Sequence, residues 1–313
     1  MNRVGLMKKV FISLLFCFAF ISCTTTAPVK TKAVLIEHPE RFFWELKNSA
    51  GSVYILGTIH FADKTFYPLE EKVLNAFDSA DTLVSELGGK DELLAVVVKL
   101  QERMIKNINR EPEKNLAVFL SESEIEFLYE NLGKKTAESM FVFNPWILNI
   151  VLGELVSQEA KLNPADGIDL YLINRAQDRK IEALETADRQ LDVLSAGTFE
   201  EQLQVLRGSI RDLHDTNTAV SLIRTLRELY LNNDKEGLSK FIFEKSTLPS
   251  GVSEEYKRHY INLLFTERNI EWADKIDNYL KKDGTTFIFA GAGHFLGEHS
   301  VFEIMKQKGL LEI

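Results

Sequence analysis

From Phe42 onward the apolar and polar positions fall into a pattern that predicts a hairpin. Phe42-Phe43-Trp44-Glu45-Leu46 is one arm, Asn48 to Ser52 the turn, and Val53-Tyr54-Ile55-Leu56 the second arm, which runs out at Gly57. Pro68 suits a first helical position and predicts a helix through Ala80. Thr82-Leu83-Val84-Ser85-Glu86-Leu87 predicts the next strand, closed by Gly88-Gly89. A long helical middle follows. Leu93 to Ile108, Glu122 to Leu132 and Pro145 to Ala160 carry apolar residues at spacings of three and four, and Gly167 to Asp178 predicts another helix. Lys180 to Leu184 predicts a short strand. Residues 199–281 are helical in pattern, with breaks near Asn232-Asn233 and Pro249-Ser250-Gly251. Thr285-Thr286-Phe287-Ile288-Phe289-Ala290 predicts a buried strand, and Ser300 to Lys308 a closing helix.

Strands and helices alternate at both ends of this pattern. They predict an α/β (α+β) fold: a mixed central sheet with flanking helices and a large helical insertion. Two strands end alike. Val53 to Leu56 leads into Gly57-Thr58-Ile59-His60, and Phe287 to Ala290 leads into Gly291-Ala292-Gly293-His294. The pair suggests an old duplication. With 17 Gly and 6 His in 313 residues, chance gives roughly a third of a Gly-x-x-His per chain, so two after apolar strands stand out.

Ligands of open α/β sheets bind beyond the carboxyl ends of strands. A Gly there admits close approach, and a His there can ligate a metal or move a proton. If the strand carrying Glu86 runs parallel to the first, Glu86 and His60 share one rim. Two His and a carboxylate are the minimum set for a hydrolytic metal site with an open position, and the same set without metal could serve as general base and acid. Glu185, after the short strand, could reach that rim. Arg268 could hold a substrate carboxylate or orient Glu86. Asp169 is expected as a helix cap or ion-pair partner. Glu298 and His299 belong to a solvated turn, and His38, His214 and His259 to the surface. Leu296 stands where a dinucleotide loop needs its third Gly, and the chain has no Gly-x-Ser-x-Gly elbow, Walker loop or His-Glu-x-x-His helix.

Composition refines this picture at the chain's start. Arg3, Lys8 and Lys9 precede an apolar run from Val10 to Ile21, which reads as a secretory signal over residues 1–22. Phe20-Ile21-Ser22-Cys23 resembles a lipobox with Phe in place of the usual Leu, so Cys23 is the expected lipidated N-terminus and residues 23–41 a tether. Several acyl chains on one residue anchor stably, which places the protein at a bacterial envelope; Thr24 after Cys23 favours the outer membrane over the inner. The one other cysteine, Cys17, leaves with the signal, so the mature domain, residues 42–313, has no disulfide. Net charge is −9, and losing three cations with the signal takes it to −12. Such a surface repels phosphate backbones, which argues against nucleic acid as a partner.

Gly57-Thr58-Ile59-His60, Phe66-Tyr67-Pro68-Leu69, Asp81-Thr82-Leu83-Val84-x-Glu86, Pro145-Trp146, Gly167-Ile168-Asp169, Leu184-Glu185-Thr186, Glu267-Arg268-Asn269 and Gly291-Ala292-Gly293-His294 fall in the order seen in the TraB/GumN family. The resemblance spans roughly residues 42–313. That family is grouped with the Tiki proteins, which are metal-dependent proteases, and more distantly with erythromycin esterases. The resemblance implies that His60, Glu86 and His294 form the site, with Gly57, Gly291, Gly293, Glu185, Arg268 and Asn269 around it. Three readings stay open: a metalloprotease-like hydrolase using a divalent cation, a metal-free esterase-like hydrolase, and a non-catalytic envelope protein that binds a peptide, small signal or cofactor.

Overall fold

Five apolar or small residues in succession, Thr286 to Ala290, are buried on both faces in a computed structural model that describes residues 32–312 except Arg110, Asp215 and Thr247. A run of that kind belongs at the centre of a sheet covered on both sides. The expected signal, Cys23 and the first part of the tether lie outside the described residues. The strands are β1 (Val34–Glu37), β2 (Phe43–Lys47), β3 (Gly51–Thr58), β4 (Thr82–Ser85), β5 (Ile181–Ala183) and β6 (Gly284–Gly291), in the order β1-β2-β3-β6-β4-β5. The β1-β2 and β2-β3 pairs are antiparallel, as the hairpin pattern predicts. The β3-β6, β6-β4 and β4-β5 pairs are parallel.

The helices are α1 (Glu71–Ser79), α2 (Lys90–Lys106), α3 (Glu122–Leu132), α4 (Lys134–Met140), α5 (Pro145–Glu159), α6 (Ile168–Arg175), α7 (Ala187–Leu194), α8 (Phe199–His214), α9 (Thr216–Leu231), α10 (Lys235–Phe241), α11 (Glu254–Ile261), α12 (Glu267–Leu280) and α13 (Val301–Gln307). Five of them, α2 to α6, fill the excursion between β4 and β5, and six more lie between β5 and β6. The fold is therefore α/β with a mixed sheet and a large helical insertion. The main core joins the sheet to α1, α6, α12 and α13 through residues such as Phe77, Leu172, Trp272, Phe287 and Met305. Each fully buried aromatic there contributes about 1.5–3 kcal/mol. The insertion has its own apolar cluster, in which Phe127, Ala137, Leu148, Leu152 and Leu206 bring α3, α4, α5 and α8 together.

Three differences from the sequence pattern have physical reasons. Residues 34–37 are an edge strand instead of tether: Leu35 and Ile36 pair with Leu46 and Glu45, and Ala33 bridges to Leu311 near the chain's end. Their partners are distant in sequence, so no local period announces them. Helix α1 starts at Glu71 instead of Pro68, which follows a cis peptide bond. The two Gly-x-x-His motifs are also out of step. Gly57 pairs with Ala290 and Thr58 with Gly291, and one residue of offset turns the two glycines to opposite faces. The register gives the suggested duplication no support.

Candidate active site

The four parallel strands β3, β6, β4 and β5 end on one edge of the sheet. His60 follows β3, Gly291 to His294 close β6, Glu86 follows β4 and Glu185 follows β5. Because β6 lies between β3 and β4, Gly291 is flanked by His60 on one side and Glu86 on the other. A Cβ placed on Gly291 would stand 3.6 Å from His60 Nε2, 3.8 Å from His294 Cδ2 and 3.9 Å from Glu86 Oε2. The three side chains thus converge on a hollow that exists because residue 291 has no side chain.

Local structure fixes each one. His60 leaves β3 against the start of α6. Ile168 N–H donates to the Ile59 carbonyl (3.1 Å), and a Cβ on Gly167 would lie 2.4 Å from the His60 carbonyl oxygen. This close approach sets Asp169, in the first turn of α6, beneath His60. Asp169 accepts from Thr58 Oγ1 (2.6 Å) and pairs with His60 Nδ1 (3.0 Å), leaving His60 Nε2 toward the hollow. Glu86 sits in a turn that Ser85 Oγ clamps, donating to the Gly88 carbonyl and accepting from Gly88 N–H, both at 2.7 Å. Gly88 has a φ of +93°, which side chains rarely adopt. Glu185 N–H then donates to the Glu86 carbonyl (3.0 Å), so the two carboxylates stand side by side.

Arg268 joins them. It is 1% exposed, and its guanidinium donates to Glu86 Oε1, to Glu185 through Nε (2.7 Å) and Nη2 (2.9 Å), to Gln190 Oε1 (3.2 Å) and to the Leu264 carbonyl (3.0 Å). Nε and Nη2 both go to the carboxylates, so of the two roles open to it from sequence the contacts favour orienting Glu86, with one N–H of Nη1 left over. It stands just beyond a π-helical turn, Asn262–Thr266, between α11 and α12; such turns often mark functional sites. Asn269, the next residue, donates from Nδ2 to the carbonyls of His299 (2.6 Å) and His294 (3.4 Å). That fixes its amide, so Oδ1 accepts from His294 Nδ1 (2.5 Å) and His294 Nε2 carries a lone pair. Trp272 and Phe265 hold the ring at centroid distances of 4.1 and 5.2 Å.

The charges follow from these contacts. The Asp169 carboxylate pushes His60 up to about 9, burial opposing it. Burial and Arg268 hold His294 well below its usual value, so that ring is neutral. Burial raises Glu86, but the cations of Arg268 and His60 overcome it and hold the carboxyl below the usual range. Burial leaves Glu185 raised in spite of Arg268. One guanidinium faces two buried carboxylates, an arrangement that favours a further cation.

The side chains present suit a divalent metal. Glu86 Oε2 is buried and has no hydrogen-bond partner, an expensive condition for a carboxylate oxygen. Each candidate ligand has its other polar atom held, Nδ1 of His60 by Asp169, Nδ1 of His294 by Asn269 and Oε1 of Glu86 by Arg268. That is the usual support around a metal site. As the chain stands, no group of three His, Cys, Asp or Glu side chains among the described residues is placed to hold a metal ion. The hollow opens into a pocket of roughly 400 Å³ beneath α9, α10 and the π-turn before α12.

The structure therefore brings together His60, Glu86, His294, Gly291, Glu185, Arg268 and Asn269. Gly57 and Gly293 act from behind. Gly57 gives its carbonyl to Tyr230 Oη (2.7 Å), and Gly293 makes room for Phe265, whose Cε1 would lie 2.9 Å from an added Cβ. Of the two roles expected of Asp169 the structure shows ion pairing, with His60 as its partner, while Gly167 takes the cap position of α6. The Gly167-Ile168-Asp169 motif was the available signal. His38 is a further correction, since it is largely covered, stacked on Phe43 and 3.5 Å from Glu45, whereas His214 and His259 are exposed. Glu298 is exposed as expected, while His299 is half-buried and bonds to Thr266 (3.0 Å).

Fold and site define a class: a mixed α/β sheet whose parallel strand ends present a His-carboxylate-His rim beneath a helical cover. The chain belongs to the TraB/PrgY/gumN family, whose sequence profile matches residues 42–311. It is 33% identical over 305 residues to an uncharacterized protein of Treponema pallidum (strain Nichols), covering 97% of this chain and 91% of that one. It is also similar to Metalloprotease TIKI2 of Danio rerio (23% identity, 86% of this chain, 60% of that protein) and to YbaP of Escherichia coli K12 (24%, 81% and 87%). This chain thus spans about three fifths of the TIKI2 protein. No solved structure matches it.

Proposed function

We propose that this protein is a metal-dependent hydrolase of protease-like type that cleaves a peptide or a small amide or ester. His60 Nε2, His294 Nε2 and Glu86 Oε2 would hold the divalent cation. The observation that carries this reading is the buried, unpartnered Glu86 Oε2 at the hollow over Gly291, faced by His60 Nε2. The kinship with proteins named as metalloproteases supports it. A cation bound there would supply a water of lowered pKa and polarise the scissile carbonyl. The chain's own residues do the rest. Asp169 and Asn269 fix the two imidazoles, and Arg268 fixes the carboxylate. Calorimetric titration with Zn²⁺ and Mn²⁺ tests the reading: micromolar or tighter binding that vanishes in His60→Ala and Glu86→Ala supports it, and absence of binding by the wild type removes the metal.

A specific arrangement favours a second reading. His60 with its Asp169 partner is a proton donor, and the neutral His294 beside it a base, so the two can hydrolyse an ester without metal. Turnover that survives chelators and disappears in Glu86→Ala would select it. If no turnover is found across a broad peptide and ester panel while a ligand still binds, the protein is a binding protein of the same rim. The envelope location is likewise proposed, through lipid on Cys23; among the described residues no helix is long and apolar enough to cross a membrane. Loss of membrane fractionation in Cys23→Ser is the expected outcome.

A further inference from the structure

The pocket beside the hollow has two unlike walls. One wall carries its polar side chains, His60, Glu86 and His294 from the strand ends, Gln190 from α7 and Arg268 from α12. The facing wall is apolar: Ile223 and Leu226 from α9, Leu238 from α10, Ile242, and Leu264 and Phe265 from the π-turn. Tyr230 also lines it, but its hydroxyl is spent on the Gly57 carbonyl, so it offers its ring. A volume of roughly 400 Å³ is at the small end for ligand pockets and suits one large side chain with its backbone amide.

Charge narrows the choice. Arg268 is the guanidinium that lines the pocket, and every nitrogen of it is bonded to Glu86, Glu185, Gln190 or Leu264. Only the second N–H of Nη1 is left over, so Arg268 is largely committed to the protein's own groups. The amide of Gln190 has its oxygen on Arg268 (3.2 Å), which leaves its N–H₂ as a neutral donor.

We infer that this pocket selects a large, uncharged apolar side chain next to the bond that is cut. The substrate class is then an amide with Phe, Leu or a similar residue at the cleavage point. Phe265 sets the depth of the pocket by packing against Gly293. This inference rests on the proposed hydrolase for the word "cut", but the selectivity is a property of binding and is measurable without turnover.

The test uses the full-length protein and blocked peptides acetyl-Gly-Xaa-Gly-amide, with Xaa Phe, Leu, Ala or Asp, titrated by calorimetry. The Phe and Leu peptides are expected to bind at least about tenfold more tightly than the Ala peptide, since each methylene in such a pocket is worth about tenfold or more. The Asp peptide, whose charge would face the apolar wall, should bind most weakly. Leu226→Arg should reverse the order and bind the Asp peptide more tightly than the wild type does, a gain that an unfolded variant cannot give. Equal affinity for the Ala and Phe peptides, or tightest binding of the Asp peptide, overturns the inference. Selective binding without cleavage supports the inference and counts against the hydrolase reading alone.

Discussion

Gly291→Ala separates the site from the fold. Gly291 has φ −49° and ψ 127°, a conformation open to any residue. An added Cβ would meet its nearest neighbours at 3.6, 3.8 and 3.9 Å, all ordinary contacts. Nothing has to move. Alanine at a compatible glycine position stabilises a protein by about 0.4–1 kcal/mol through the unfolded chain. A thermal melt should therefore be unchanged or a few degrees higher. The methyl, however, fills the hollow on which His60 Nε2 and Glu86 Oε2 converge. A cation must come within about 2.0–2.2 Å of each ligand, so the ligands have to close from the present separations onto the volume that the methyl now occupies. Metal affinity and turnover should fall by about a hundredfold or more, beyond the 10–100-fold typical of lost supporting contacts. Melting and Zn²⁺ calorimetry on the same preparation form the assay. A stable Gly291→Ala protein that binds metal and substrate like the wild type would refute the placement of the site.

Other predictions bear on the surrounding network. Arg268→Met leaves Glu86 and Glu185 buried without their cation and should cost about 3–5 kcal/mol in urea unfolding; a loss below 1 kcal/mol would mean that the carboxylates are not charged. Asn269→Leu frees His294 Nδ1 and its tautomer, so turnover should drop about 10–100-fold with little change in substrate KM, as steady-state kinetics will show. Gly167→Ala drives a methyl to 2.4 Å from the His60 carbonyl oxygen, so His60 must shift; a destabilisation of about 1–3 kcal/mol with loss of metal binding is expected on denaturant titration. The His60–Asp169 pair sets a pH dependence in the metal-free protein. His60 is raised from 6.5 to about 9, so its contribution to stability is complete below 6.5 and is lost as pH rises through 9. Asp169 is held below 3.8, so its share is lost as pH falls through the acid range. The stability gap between wild type and Asp169→Asn, measured with chelator present, should be widest near pH 5–6 and nearly closed by pH 10.

Much of this site was legible because the information was local. A strand that ends in glycine, with a histidine three residues on, is a short-range pattern, and Glu86 after an apolar strand is another. Their meeting rests on one fact that the strands do not announce separately, that β6 inserts between β3 and β4. The apolar run at Thr286–Ala290 did hint at this, because only a central strand is buried on both faces. The roles of Asp169 and Arg268 were harder to read. Asp169 opens a helix, where an acidic residue has a sufficient local explanation, and only the packing of Gly167 against His60 reveals its second partner. Arg268 lies on α12, 182 positions from Glu86 and 83 from Glu185, too far for any spacing to connect them. Edge strand β1 was hidden for the same reason. What the helical insertion contributes was least visible of all. Its amphipathic periods specify burial of one stripe, but which helices turn an apolar face to the rim depends on how the bundle packs. That packing converts a bare His-carboxylate edge into a pocket able to choose among side chains.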